Sequence, residues 1–372
     1  MMKIYIFEKR VQPRGLWFSI GITLFSIFLA LCIGAIPIFL AGANPLFAYQ
    51  ALFYGAFGRL NGLVATCIKA TPLLLSALAI IVAFKANLWN LGGNGQMYLG
   101  ALMATLVGLF VKLPIYLHLP LALLAGFVGG VLWILPFAFF RAYLRVNEVI
   151  TTLMFNFIAI FFINWLVIGP LEEAGGYMPQ TPAILPTARL PLIFPPTRLH
   201  AGIILAVLLA IFLYFLLFRT SFGYNLQAIG ANPKAAQYGG INVKCSIVLI
   251  MGLSGGLMGL AGANEILGIH HRLLSGIVAN YGFTGMVAAL LGGLHPLGAV
   301  VAAFFFSSLI IGADMMQKMT GVPISSAYII QALVVLFIVG GRVVGQYDFV
   351  PLRSFVLKCK QRQHLTLGSK RG

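Results

Sequence analysis

Charged residues are scarce in this chain of 372 residues: Asp, Glu, Lys and Arg together make up 8% of it, while 60% is hydrophobic. A soluble domain of this length would carry far more charge. Apolar runs of about eighteen residues or more recur along the chain, each long enough to cross the hydrocarbon core as a helix. Strict apolar–polar alternation, the mark of a β-barrel, is absent. The composition therefore predicts an all-α, polytopic integral membrane protein.

Sequence patterns for nucleotide and metal chemistry are also missing. The chain contains no Gly-Lys dipeptide, which excludes a phosphate-binding loop of the Walker A type, and no His-x-x-x-His zinc pattern. The four cysteines, at positions 32, 67, 245 and 359, are far apart in sequence and suggest neither a disulfide nor a metal site. We therefore expect a protein that is not an enzyme and that binds no cofactor or metal itself.

Ten apolar segments are candidate membrane spans: 17–40, 62–84, 97–113, 119–140, 149–169, 199–218, 246–267, 278–294, 296–312 and 326–341. The first is too long for the apolar part of a signal peptide, so we expect it to be retained. Residues 45–57 are apolar but short, which predicts an interfacial or re-entrant piece.

The distribution of basic residues predicts the orientation. With ten spans and a cytoplasmic start, both termini are cytoplasmic, and 17 of the 24 Lys and Arg residues fall on the inner side. This excess explains the net charge of +17 as a topology signal and argues against nucleic-acid binding. The predicted organisation is a cytoplasmic N-terminus (1–16), a membrane domain (17–341) with a Pro-rich outer loop (170–198) and a cytoplasmic loop (219–245), and a basic cytoplasmic tail (342–372).

Residues 230–240 form a self-contained helical motif inside the predicted cytoplasmic loop. Asn232 is a good N-cap residue and Pro233 suits the first helical turn, while Gly239 and Gly240 would supply a left-handed stop. A short polar helix between two spans is well suited to be moved by another protein. Its candidate coupling residues are Gly230, Ala231, Asn232, Pro233, Lys234, Ala235, Ala236 and Tyr238.

Polar residues inside the apolar spans are candidates for a solute pathway. Glu148, Thr152 and Asn156 are spaced by four residues, so they share one helical face that has to point at protein or water. That face either joins helices together or lines the pathway. Glu148 at the start of its span has the further interpretation of a capping acid.

The segment 87–96 is the second candidate, because three asparagines, three glycines and a glutamine interrupt two apolar spans there. Asn90, Asn94 and Gln96 either surround a break in the membrane, where transporters place solutes, or belong to a tight turn at the inner face.

Asn264 and Glu265 lie near the outer end of their span, and an acid at membrane depth is a site candidate by default. Glu265 or Asp314 would serve an alternative function, proton-coupled secondary transport. The same span contains two small-xxx-small pairs, Gly252 with Gly256 and Gly255 with Gly259, which predict close helix packing.

Together, these segments resemble the permease subunits of bacterial ABC importers for nucleosides and simple sugars. Residues 88–97 (LWNLGGNGQM) are similar to the signature Asn-Ile-Gly-x-Glu-Gly-Gln of that family, and residues 147–156 (NEVITTLMFN) resemble its segment Asn-Glu-Val-Ile-x-Thr-Leu-Met. Residues 230–243 resemble its cytoplasmic coupling segment, and the Pro-rich outer loop is similar to that of the longer of the two nucleoside-type permeases. The resemblance covers about residues 60–340. Asn94 departs from it, since the family usually has Glu at this position.

The resemblance implies an importer whose permease is driven by a separate ATPase. The expected partners are a cytoplasmic ABC ATPase that hydrolyses ATP, a second permease subunit (a second copy or a related chain) and an extracytoplasmic substrate-binding lipoprotein. The outer loop is then either a plain connector or a docking surface for that lipoprotein. The implied location is the cytoplasmic (inner) membrane of a bacterium.

Overall fold

The structure, a computed structural model, describes residues 5–9, 16–175, 178–278, 280–323 and 325–351. Its helices are α1 (Leu16–Leu40), α2 (Pro45–Phe57), α3 (Leu60–Lys85), α4 (Gly93–Phe110), α5 (Ile115–Phe139), α6 (Glu148–Ile168), α7 (Gly202–Arg219), α8 (Ser221–Ala231), α9 (Pro233–Tyr238), α10 (Val243–Glu265), α11 (Tyr281–Leu291), α12 (Pro296–Thr320) and α13 (Ser325–Gln346). Single π-helical segments extend α5 (Phe140–Leu144) and α10 (Ile266–His270), and two short strands are β1 (Tyr5–Lys9) and β2 (Tyr347–Pro351).

The helices confirm the predicted class of an all-α, polytopic membrane protein. Among the described residues, seven helices are long and apolar enough to cross a bilayer. The predicted span 278–294 differs from the structure, because α11 has only 11 residues. At 1.5 Å per residue it covers about 16 Å, roughly half of the hydrocarbon thickness. The short apolar segment 45–57 forms α2.

The described residues of the two chain ends, 5–9 and 16–45 with 325–351, form one compact unit. Within it α1 packs against α13, and Ser26 Oγ donates a hydrogen bond of 3.0 Å to the Phe337 carbonyl. Strands β1 and β2 pair in antiparallel fashion, with Tyr5 opposite Pro351. Helix α13 continues five residues past the predicted end of the last span, into the segment that we assigned to the tail, and residues 352–372 of that tail lie outside the described residues.

Residues 46–324 form the second unit, and its centre is the contact between α4, α5 and α10. Glycines allow the three backbones to approach closely. A Cβ atom added at Gly100 would lie 2.6 Å from the carbonyl carbon of Gly259, and one added at Gly259 would lie 2.9 Å from Cα of Gly130. Such distances are closer than any larger residue permits, so these positions require glycine.

The two predicted glycine pairs on α10 differ in what they contact. Gly255 and Gly259 both lie against the backbone of α5, and Gly256 lies against the Phe127 ring. Gly252 has more room, since an added Cβ would lie 3.8 Å from its nearest neighbour, a Val131 methyl group. The pair Gly255/Gly259 is therefore the close helix contact, and Gly252 is not part of it.

Substitution of these glycines by alanine separates close packing from helix propensity. We expect Gly259→Ala to lower the free energy of unfolding by about 1–3 kcal/mol, because the methyl group would overlap the backbone of α5. Gly252→Ala is the control, and it should be neutral or slightly stabilising because alanine is the better helix former. Thermal unfolding of the two variants in the same detergent measures the difference. Equal midpoints for both would contradict this packing.

Candidate functional site

The chain is interrupted between α3 and α4, and residues 86–92 form what we call the α3–α4 break. Two residues after the end of α3, Asn87 lies in the left-handed region, at φ +56°, a conformation that asparagine tolerates better than most residues. Leu88 and Asn90 are both buried. Buried backbone groups that are freed from a helix need hydrogen-bond partners elsewhere in the chain.

The polar face of α6 supplies several of these partners. Asn156 donates from Nδ2 to the Leu91 carbonyl at 2.8 Å and accepts from the Gly95 amide at Oδ1, also at 2.8 Å. Thr152 Oγ1 accepts from the Leu91 amide at 3.3 Å. Both side chains are at least 95% buried. Of the two roles that we considered for this face, the observed hydrogen bonds are those of a structural support.

Glu148 extends this support to the start of α6. Its Oε1 accepts from the Trp89 amide at 3.5 Å, and its Oε2 lies 3.0 Å from Nε of Arg141. The cap of the helix is Asn147, whose side chain accepts from the Val149 amide. Glu148 is therefore a link between the break, α6 and the end of α5.

A second set of buried amides ties the break to α10. Asn90 and Gln96 form a reciprocal pair, with Gln96 Nε2 donating to Asn90 Oδ1 at 2.7 Å and Asn90 Nδ2 donating to Gln96 Oε1 at 3.0 Å. Asn90 Nδ2 also donates to Ser254 Oγ at 2.9 Å, and Ser254 donates to the Ala79 carbonyl at 2.8 Å. All four residues are fully buried, so the network joins α3, the break, α4 and α10.

Ser254 is a residue that our sequence analysis missed. The available signal was a hydroxyl inside a glycine-rich apolar span. Residues 252–256 (GLSGG) also fit the Gly-x-Ser-x-Gly pattern of hydrolases. In the structure, however, Ser254 lies inside α10 and not on a strand-to-helix turn, and its hydroxyl is engaged by Asn90 and Ala79.

Asn94 stands where the family signature usually has Glu. Its side chain bonds to the start of α11, the helix that covers only about half of the hydrocarbon thickness. Its Oδ1 accepts from the Gly282 amide at 3.0 Å, and its Nδ2 donates to Asn280 Oδ1 at 3.3 Å. Asn280 is the left-handed residue that precedes α11, at φ +60°. Asn94 uses both its acceptor oxygen and its donor nitrogen here, and it thereby joins the start of α4 to the start of α11.

The remaining two predicted pathway residues lie elsewhere. Asn264 and Glu265 are about 16 Å further along α10 than Ser254, at the end where the π-helical segment begins. Glu265 is 2% exposed, and its Oε2 lies 3.3 Å from Nε2 of His270. It lines a cavity of about 610 Å³. The structure therefore separates the predicted pathway residues into a group at the α3–α4 break and the pair at the end of α10, of which Glu265 lines this cavity.

The Pro-rich loop is packed along the chain that follows α10. Backbone hydrogen bonds join residues 181–190 to residues 267–273, and Arg272 forms an ion pair with Glu173 of the loop. The loop therefore packs against the chain at the end of α10, to which these hydrogen bonds and the ion pair attach it.

The predicted coupling segment forms two helices that meet at Asn232. As its position predicts, Asn232 is the N-cap of α9: its Oδ1 accepts from the amides of Lys234 at 3.0 Å and Ala235 at 3.2 Å. Pro233 is the first residue of α9. One detail differs from our expectation, because Gly240 alone takes a left-handed conformation, at φ +86°, while Gly239 has φ −75°.

The coupling segment rests directly on the end of α3. A Cβ atom added at Gly230 would overlap the Lys85 carbonyl oxygen and would lie 3.1 Å from Cα of Ala86. Ala236 is buried, whereas Tyr238 is 94% exposed, and Ala231 and residues 232–235 are also exposed. One face of this segment is therefore joined to the α3–α4 break, and the other is free of contact with the described part of the chain.

Comparison with known proteins identifies the family. The sequence pattern of the family described as branched-chain amino acid transport system / permease component matches residues 62–339. The chain belongs to this permease family. The permease is 36% identical over 321 residues to the guanosine ABC transporter permease protein NupP of Bacillus subtilis, covering 85% of this chain and 92% of NupP. No solved structure matches the permease.

Two other relatives agree with this assignment. The glucose ABC transporter permease protein TsgB13 of Haloferax volcanii is 32% identical over 353 residues, which cover 91% of this chain and 93% of TsgB13. The guanosine ABC transporter permease protein NupQ of Bacillus subtilis is 32% identical over 289 residues, which cover 74% of this chain and 88% of NupQ. The permease is thus a multi-pass transport subunit of an ABC importer in the cytoplasmic membrane, a class in which a partner subunit hydrolyses ATP.

Two neighbouring threonines on α6 test the support of the break. Thr152→Val keeps the shape of the side chain but leaves the Leu91 amide unpaired, so we expect a loss of about 1–3 kcal/mol in the free energy of unfolding. Thr151→Val is the matched control, because the Thr151 hydroxyl bonds only to carbonyls of its own helix. It should change stability by less than about 0.5 kcal/mol. Unfolding in detergent compares them, and equal stabilities would contradict this role of Thr152.

Proposed function

We propose that the permease imports nucleosides, with simple sugars as the second candidate class. The names of its relatives support this proposal, since NupP and NupQ are called guanosine permeases and TsgB13 a glucose permease. A nucleoside and a hexose share a sugar ring with several hydroxyl groups. The alternative of proton-coupled transport has no relative among these proteins, all three of which are named as ABC transporter permeases.

The proposed orientation places α8, α9 and both termini in the cytoplasm. The excess of basic residues on that side supports it, and Lys85, Arg141, Arg219 and Lys244 lie at helix ends or in the turns next to them. The Pro-rich loop and the Glu265 end of α10 then face outward. There the loop would meet the extracytoplasmic substrate-binding lipoprotein.

In the proposed mechanism the partner ATPase binds α9 and moves it. The observation that carries this proposal is the contact of Gly230 with the end of α3, because it links the exposed helix to the α3–α4 break without an intervening flexible segment. Through the buried amides of Asn90 and Gln96 the motion would reach α4 and α10. Alternating access then follows from rocking of these helices around a fixed centre.

The proposed assembly contains two related permease chains. Two guanosine permease proteins of one organism, NupP and NupQ, both match this chain, which supports a pair of different subunits over two copies. The ATP consumed in each cycle would be bound by the ATPase subunits alone.

The predicted pathway residues receive two proposed roles. Asn90, Asn94, Gln96, Thr152 and Asn156 hold the interrupted helices in place, and their membership of the solute pathway stays a prediction. Glu265 and the neighbouring Asn264 lie where a solute would enter from outside.

Tyr238 tests the coupling role of α9. Because it is almost fully exposed, Tyr238→Ala should leave the fold unchanged. A buried tyrosine in an interface commonly contributes about 2 kcal/mol or more to binding, so we expect uptake by the complete transporter to fall about tenfold or more. Uptake of labelled guanosine or glucose into cells, normalised to the amount of permease in the membrane, measures it.

Tyr116→Ala is the control for this experiment. Tyr116 is 87% exposed at the start of α5, on the proposed outer side, and its removal should not affect coupling. Normal uptake by the Tyr238 variant would contradict the proposed contact between α9 and the ATPase.

A further inference from the structure

The cavity beside the end of α10, which we call the Glu265 cavity, has an acidic floor and a basic rim. It lies within residues 46–324 and is lined from α3, the outer loop, α10, α11 and α12. Glu265 is 2% exposed, whereas Arg198 in the loop is exposed and Lys69 on α3 is half-buried. Lys69 Nζ lies over the Tyr281 ring, 4.8 Å from its centroid.

Glu265, which lines this cavity, has an incomplete set of hydrogen bonds. Its Oε2 lies 3.3 Å from Nε2 of His270, but its buried Oε1 has no hydrogen-bond partner among the described residues. Buried polar atoms nearly always have a partner, so unsatisfied ones mark places where a ligand or an ordered water binds.

The chemistry of Glu265 restricts which ligand group it can bind. A carboxylate accepts hydrogen bonds, so its natural partners are hydroxyl or N–H groups. The ligand group next to Glu265 is therefore a hydrogen-bond donor.

We propose that Glu265 accepts hydrogen bonds from the sugar hydroxyls of the transported solute in this cavity. The inference rests on the proposed function and makes it more specific, since it names the part of the solute that the permease recognises. The sugar ring is the chemistry that nucleosides and simple hexoses share, which explains how one family can handle both.

The experiment combines variants of the Glu265 side chain with solutes that lack one or more hydroxyl groups, and it compares the effects of the two changes. In Glu265→Leu an apolar side chain of similar size removes both acceptor oxygens, a change that a buried position in a membrane helix tolerates. Glu265→Gln keeps one acceptor oxygen without the charge. Glu172→Leu is the matched control, because Glu172 is an exposed acid of the outer loop outside the cavity.

Uptake by the complete transporter is measured for two solute pairs. Guanosine is compared with 2′,3′-dideoxyguanosine, and glucose with 2-deoxyglucose, each as kcat/KM. The quantity of interest is the preference for the hydroxylated member of the pair in each variant. Since the same extracytoplasmic binding protein delivers both solutes to every variant, its own preference cancels when variants are compared. A loss of folded protein lowers the uptake of both solutes by the same factor, so it does not change the preference either.

For the solute that the wild type transports, we expect the preference for the hydroxylated member to fall about tenfold or more in Glu265→Leu, because hydrogen bonds to a charged acceptor are lost. The preference measured for Glu265→Gln should lie between those of the wild type and Glu265→Leu, and the preference of Glu172→Leu should equal that of the wild type. An unchanged preference in Glu265→Leu, with uptake otherwise normal or uniformly reduced, would overturn the site but leave the proposed function standing. Uptake of neither guanosine nor glucose by the wild type would overturn the proposed function, and this inference with it.

Discussion

Backbone amides and carbonyls inside a membrane cannot bond to water, and this constraint shapes the centre of the permease. Helix α3 stops at Lys85 and α4 starts only at Gly93, which frees several buried backbone groups. Each freed group costs free energy comparable to a lost hydrogen bond unless the chain supplies a partner. Thr152 and Asn156 on α6 supply those partners, and Asn90 with Gln96 and Ser254 fixes the break to α10. The same constraint applies at the start of α11, where Asn94 accepts a hydrogen bond from the Gly282 amide.

This arrangement gives the proposed motion a defined route. Because side chains of α6 bond to the Trp89 and Leu91 amides and to the Leu91 carbonyl, and Asn90 bonds to Gln96 and Ser254, we propose that the break acts as a fixed joint between α3, α4, α6 and α10. The exposed helix α9 reaches this joint through α8 and the contact between Gly230 and Lys85. On the proposed outer side, the Glu265 cavity is lined by a carboxylate with one oxygen unpartnered among the described residues and by basic groups. Under the proposed function, polar residues in these spans serve three different purposes: they support the break, couple α9 to it and bind the solute.

Much of the fold could be predicted from the sequence, because hydropathy and capping are local. The long helices, the short helix α2 and the cap at Asn232 follow from runs of apolar residues and from single cap residues. The partners of Asn90, Asn94 and Asn156 could not be predicted, since they lie as many as 188 positions away in the sequence. The half length of α11 was not predicted for a related reason. The predicted span 278–294 extends three residues beyond each end of the helix, whose start bonds to the distant Asn94 and whose end precedes Gly292 and Gly293. Likewise, spacing alone cannot separate Gly252 from Gly259, because only the facing helix decides which glycine is close-packed.

The central claim is that the permease performs no chemistry and moves only when a separate ATPase acts on α9. Reconstitution in liposomes tests it most directly, by comparing the complete transporter with the permease chains alone, with ATP and with an imposed proton gradient. The account predicts that only the complete transporter accumulates solute, that it needs ATP, and that an uncoupler has no effect. Accumulation by the permease alone, driven by the proton gradient and abolished by the uncoupler, would contradict it.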